Sequence, residues 1–268
     1  MIPHTWSADP VALVAAGLAV SLYAQAFVRL RRRGRADNAS VAGALLFVGG
    51  IAAGTLAVVS PLDELAEETL VSAHMLQHLL IGDVAPLLIV LGVRGPIAFF
   101  LLPPPVLRPL ARLRPLRRLL ELLFRPAVSF GVWAAALAAW HVPQAYDAAL
   151  VHPALHVLEH ASLFLGGLLL WTQIVDPTRR ARLTPGRRAA LAAGALVAGT
   201  ALGEVLLASP PLYAHYADAA ERPFGLTYAS DQSRAALLMM AEQVATLGLA
   251  ATLLFWSHVE ALERRLAT

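Results

Sequence analysis

The sequence predicts an all-α polytopic membrane protein with seven transmembrane helices, its N-terminus outside and its C-terminus in the cytoplasm. Three observations carry this. The 268 residues are 58% hydrophobic and the mean hydropathy is +0.63, more apolar than a soluble domain. Runs of about 20 apolar residues, long enough to cross a bilayer, recur along the chain. The positive charge, all of it arginine, is sorted into alternate loops.

The runs are 11–28, 41–59, 72–92, 127–141, 154–175, 189–208 and 235–257, within one membrane domain spanning 1–268. The fourth is short unless it begins among the residues before it. Small residues crowd the first, second and sixth, as in AGALLFVGGIAAG, and predict closely approaching helices. Arg29, Arg31, Arg32, Arg33 and Arg35 follow the first run, and seven arginines between Arg94 and Arg125 follow the third. Arg179, Arg180, Arg182, Arg187 and Arg188 follow the fifth, and Arg264 and Arg265 end the chain. Only Arg222 and Arg234, of 21, fall outside this set. The positive-inside rule assigns these loops to the cytoplasm and requires an odd number of spans, which seven satisfies.

The same sorting accounts for the pI of 9.8, so lipids rather than nucleic acid are the expected polyanionic neighbours. The basic, proline-rich connection 94–126 reads either as a partly helical segment on the anionic inner leaflet or as a solvated loop that sets topology. No basic residue precedes the first run, which argues against a cleaved signal peptide. Trp6, Trp140, Trp171 and Trp256 fall near span ends, as an aromatic belt would. Cysteine is absent, which excludes disulfides and thiolate ligands. A metal site would have to use His, Met and carboxylates.

Polar residues inside the apolar runs are the candidates for function, because in hydrocarbon they face the protein interior and need partners. The third run carries His74 and His78, four apart and so on one helix face. The fifth carries a second such pair, His156 and His160, at matching depth. His141 ends the fourth run on the same side, and His4, His152 and His215 fall in outer loops, leaving only His258 inside. Two facing pairs of imidazoles can hold copper, zinc or iron. Glu159 and Asp231 read as carboxylates that orient the rings. Glu204 lies near the outer end of the sixth run, and Met239 and Met240 would suit Cu(I). Each has a plainer reading: histidines that hydrogen-bond headgroups or carbonyls, methionines that fill space, a Glu204 that pairs with a histidine. Asp83 and Glu242 lie near the midplane and read equally as a proton-sharing pair or as buried packing residues.

At these residues the sequence resembles the CtaG-type cytochrome c oxidase assembly factors, seven-span bacterial membrane proteins. His74-Met-Leu-Gln77-His78, followed by Val84-Ala-Pro86 and Leu91-Gly92, is similar to their HMxQH…VAP…LG signature. Trp140-His141-Val-Pro143 with Tyr146-Asp147-Ala-Ala-Leu150 resembles WHxP…YDAAL, His156-Val-Leu-Glu159-His160 resembles HxxEH, and Asp231-Gln232 resembles their DQ. The resemblance covers about residues 10–260. One departure is Ser233-Arg234-Ala235-Ala236 where the family often has Gly after DQ. The resemblance implies a site drawn from His74, Gln77, His78, His141, Tyr146, Asp147, His156, Glu159, His160, Asp231 and Gln232. It also implies a place in the bacterial cytoplasmic membrane and partnership with haem–copper oxidase subunits.

Three functions follow from the residues and the resemblance together. The first is a non-enzymatic assembly factor that binds copper at the outer face, with or without loading by a soluble copper chaperone, and passes it to the oxidase. The second is an intramembrane zinc hydrolase acting on lipids, with Glu159, Glu204 or Asp231 as base. The third is a b-type haem protein with one histidine of each pair as an axial ligand.

Overall fold

The computed structural model describes residues 5–178, 183–219 and 222–267. His4, Arg179, Arg180 and Arg182 lie outside the described residues. Among those described there is no strand. In chain order the helices are α1 (Pro10–Arg32), α2 (Val41–Val59), the short α3 (Leu62–Glu68), α4 (Val71–Gly92), α5 (Pro104–Arg112), α6 (Arg114–Leu123), α7 (Pro126–Trp140), α8 (Pro143–Val151), α9 (Pro153–Val175), α10 (Pro185–Ala208) and α11 (Tyr228–Leu266). Six of them begin on proline, whose missing N–H costs nothing in a first turn. Polar caps also mark helix starts. Asp9 accepts from the Val11 N–H at 2.8 Å, Ser40 from the Gly43 N–H at 3.0 Å, and Thr227 and Ser230 cap each other reciprocally.

Six helices, α1, α2, α4, α9, α10 and α11, are long and apolar enough to cross a membrane. The expected fourth span is the exception. The 15 residues of α7 reach only about 22 Å at 1.5 Å each, short of a hydrocarbon core of about 30 Å. It joins α6 across a bend of 77°. Pro126 is the cause, because its ring excludes a helical Arg125, which is extended with ψ 130°. A count of seven requires α6 and α7 to form one bent span. No residue of α5 or α6 is buried, so their arginines and leucines cover an outer surface.

The helix around which the others pack is α4. Half of its apolar window is buried, against 11% for α1, because α2, α9 and α11 all lie against it. Both α4 and α11 loosen into a π turn part-way along, at Leu80–Val84 and Val244–Gly248. In α4 the reason is Pro86. It offers no N–H to the Gly82 carbonyl and crowds it, and one extra residue in the turn relieves the clash. The freed carbonyl turns to α9, where a Cβ on Gly167 would lie 2.0 Å from it. Glycines also seat α4 on α2: a Cβ on Gly50 would lie 2.8 Å from the Ala85 carbonyl, and one on Gly92 2.6 Å from the Phe47 nitrogen. The small residues of the second span thus permit backbone contact, as expected.

Large apolar side chains such as Val14, Leu165, Val197 and Phe255 face outward, the pattern of a lipid-facing surface. Trp6 and Trp256 are exposed, as a belt requires. Trp171 corrects the sequence reading. It is buried on the face of α9 that packs on α4, and its indole donates to Asp83 at 2.5 Å.

Candidate metal centre

The N-terminal turns of α4 and α9 carry the two histidine pairs. Within each pair the ring centroids are 4.2 Å apart, as one-turn spacing dictates. Across the helices His74 lies 5.6 Å from His156 and His78 lies 5.5 Å from His160, ring to ring. Glu159, on the same face of α9, reaches between them. Its Oε1 is 3.4 Å from His78 Nε2 and its Oε2 is 4.0 Å from His74 Nε2. One donor atom from each of His74, His78, Glu159 and His160 lies within 4.8 Å of all the others. That spread is one a single ion's ligand set could close with small side-chain movements.

The hydrogen bonds orient the rings. Tyr216 donates its hydroxyl proton to the Ala66 carbonyl at 2.6 Å, and burial pushes its phenol well above the usual tyrosine range, so it keeps that proton. Its oxygen therefore accepts from His74 Nδ1–H at 2.9 Å, and the lone pair of His74 falls on Nε2, facing Glu159. No hydrogen bond reaches His74 Nε2, either nitrogen of His78, His160 Nε2 or either oxygen of Glu159, all of them buried. Each such atom costs about 1–3 kcal/mol, and clusters of them are rare in folded proteins. A neutral imidazole has one lone-pair nitrogen, so each of the three histidines offers one electron-pair donor beside the Glu159 carboxylate, and a cation is the group that would satisfy these four together.

The other predicted residues divide between the rim and the scaffold. His156 turns its Nδ1 to Glu67 at 3.0 Å and stands at the more exposed rim of the group. His141 donates its Nδ1–H to the Leu137 carbonyl at 2.7 Å, leaving a buried, unpartnered Nε2. It lines a cavity with His78 but lies outside the four-donor group. Tyr146 packs 4.9 Å from the His74 ring and stacks on Tyr213 at 3.9 Å. Met239 is buried in the same apolar cluster. Glu204 is exposed on α10 and is not in the four-donor group.

Several polar residues hold the frame. Gln77 donates to the Ala57 carbonyl at 2.9 Å and to Asp63 at 2.6 Å, tying α4 to α2 and α3. Asp147 accepts from the Ala214 and His215 N–H groups at 3.1 and 3.3 Å. Gln232 donates to the Leu206 carbonyl and accepts from the Leu212 N–H. These contacts, with the His215 ring on the Glu67 carbonyl and Tyr216 on His74, fasten residues 209–219 beside the histidines. Asp231 accepts from the Val71 and Ser72 N–H groups at 2.8 and 3.1 Å, capping α4 from another helix. Asp231→Ala would leave those donors unpaired. An expected loss of about 1.5–3 kcal/mol, the range for a hydrogen bond to a charged group, is measurable by denaturation in detergent. Glu67 and Tyr216 were not signalled by the sequence, since neither lies in a motif or an apolar run.

Residues 21–261, which include every residue of the cluster, match the family described as cytochrome c oxidase caa3 assembly factor (Caa3_CtaG). The chain belongs to this assembly-factor family. No curated protein and no solved structure matches it. The resemblance seen in the HMLQH, WHVP, HVLEH and DQ stretches is confirmed at the level of family, and with it a multi-pass membrane protein whose target is a cytochrome c oxidase. In this assembly factor, the HMLQH and HVLEH motifs are the two sides of one buried pocket.

Proposed function

We propose that this assembly factor binds one copper ion through His74, His78, His160 and Glu159, and delivers it to a haem–copper oxidase subunit at the outer face. The supporting observation is the convergence of unpartnered imidazole nitrogens with a buried carboxylate, a nitrogen–oxygen set suited to Cu(II). The role is that of a carrier rather than an enzyme, with or without a soluble chaperone loading the site, in the bacterial cytoplasmic membrane. The arginine pattern supports N-terminus-out topology, with α6 and α7 together as the seventh crossing. Gly166 lets α7 close on α9, where a Cβ would stand 3.2 Å from Trp133 Cα, and Trp140 donates to Ser162 at 2.7 Å.

The test is metal analysis of protein purified without chelator after growth with copper. About one copper per chain is expected, with His78→Ala and His160→Ala both empty. Full occupancy in both variants would overturn the assignment.

One observation favours the zinc hydrolase instead. An apolar groove of about 290 Å3 between α1, α2 and α4 ends on His160, and a lipid tail could lie in it. Zinc-dependent turnover of lipid amides or esters by the purified protein would select that reading. The haem reading has no such support, because the cavity beside His78 measures about 40 Å3 and ligand pockets run to several hundred.

A further inference from the structure

C-terminal to the histidines, Asp83 in the π turn of α4 bonds to Thr246 in that of α11 and meets Glu242, just before the second π turn. Asp83 accepts from Trp171 Nε1 at 2.5 Å and from Thr246 Oγ1 at 3.3 Å. Both Glu242 oxygens are buried and receive no hydrogen bond from any N–H or O–H of the described residues. Among the described residues, no arginine forms an ion pair with either carboxyl. Two ionised carboxylates cannot sit side by side in hydrocarbon without a counter-cation. The donor missing between them is a proton carried by one of the two.

Above the pair lies a cavity of about 40 Å3 lined by Asp83, His78, His141 and Gln243, with Gly82, Trp133, Leu137 and Met239 closing it. Its polar lining is unusually free. His78 and His141 are 5% and 6% exposed, and each turns an unpartnered nitrogen into the bundle. An internal water needs about 10–15 Å3 of such space and two to four polar partners, and the cavity supplies both.

We propose that Asp83 and Glu242 form a proton-binding site in the membrane interior, joined by water in this cavity to the outer histidine pocket, so that loading the pocket with a cation displaces the proton. On loading, the proton leaves the carboxyl pair by way of the cavity water for the aqueous phase beyond the histidine pocket, and the incoming cation balances the negative charge left behind. By linkage, the proton and the cation weaken each other's binding. The groups facing the pair are Trp171 from α9, Thr246 from α11, and His78 and His141 across the cavity; the proposal requires a change of protonation only at the carboxyls. The proton site stands on its own geometry, whereas the coupling rests on the copper reading.

Infrared spectroscopy of the full chain in lipid nanodiscs separates the two. The metal-free protein is expected to show the C=O stretch of a protonated carboxylic acid, shifting in deuterium oxide and absent from Glu242→Gln. Asp83→Asn, a second isosteric change, should move or remove it. No such band, or a band unchanged in both variants, overturns the proton site. Adding Cu(II) should bleach the band in the wild type, with copper bound counted in the same sample. Bound copper with an unchanged band overturns the coupling. Absence of bound copper overturns the copper reading and the coupling together, while the metal-free band still decides the proton site.

Discussion

Glu159→Gln is expected to raise the melting temperature of the metal-free protein while lowering its copper affinity by at least about 100-fold. The carboxylate is 0% exposed and receives no hydrogen bond, with imidazole nitrogens 3.4 and 4.0 Å away. A glutamine of the same shape carries no charge, and its NH2 can donate to an imidazole lone pair. Removing one or two unsatisfied buried atoms is worth about 1–3 kcal/mol, or several degrees at about 2–4 °C per kcal/mol for a chain of this size. The same change takes the only anion from the four-donor set, where even supporting partners are worth 10–100-fold in affinity. The two measurements, thermal denaturation without metal and copper titration, must move in opposite directions. If Glu159 serves only packing, Glu159→Gln will leave affinity within about twofold, and the four-donor assignment fails.

The second large effect is expected far from any ligand. Gly167→Ala would place a methyl 2.0 Å from the Gly82 carbonyl and 3.0 Å from Pro86 Cγ. Neither neighbour can yield by changing rotamer, since one is backbone and the other a ring. The helices α4 and α9 must part by more than an ångström, at a cost above the about 1–3 kcal/mol of ordinary overpacking. Their separation also widens the gap between His78 on one and Glu159 and His160 on the other, so copper affinity falls with stability. Gly131→Ala is the control, because a Cβ there meets nothing within 4 Å. Equal melting temperatures for the two variants would show that the Gly82–Gly167 contact does not set the helix spacing.

The parts of this protein that follow a period were legible in its residues. Six spans, and the pairing of His74 with His78 and of His156 with His160, need only 3.6 residues per turn and a count of apolar positions. What a period does not give is how one helix is rotated against another. Hence Glu159 read as a supporting carboxylate although it lies among the donors, and Trp171 read as a belt residue although it points inward. The π turns shift that rotation part-way along α4 and α11. Pro86 hinted at the first, and no residue type announces the second. The short α7 reads as the fourth run and α8 as part of a connection, because hydropathy cannot see the bend that Pro126 imposes or a short helix between two spans. Gln77, Asp231 and Gln232 stood out by resemblance, yet they bond to backbone groups that no sequence pattern identifies.

The ion pair between Glu67 and His156 has a consequence for traffic. Glu67 is 39% and His156 14% exposed, whereas His74 and Glu159 are sealed. A solute arriving from water meets an anion and an imidazole already bound to each other, directly above the inner donors. To go deeper it must take one of the two from the other, and to leave it must do so again. On the copper reading proposed above, that handshake would act as a latch, setting how fast the ion is accepted and surrendered and leaving the depth of the resting well to the residues beneath.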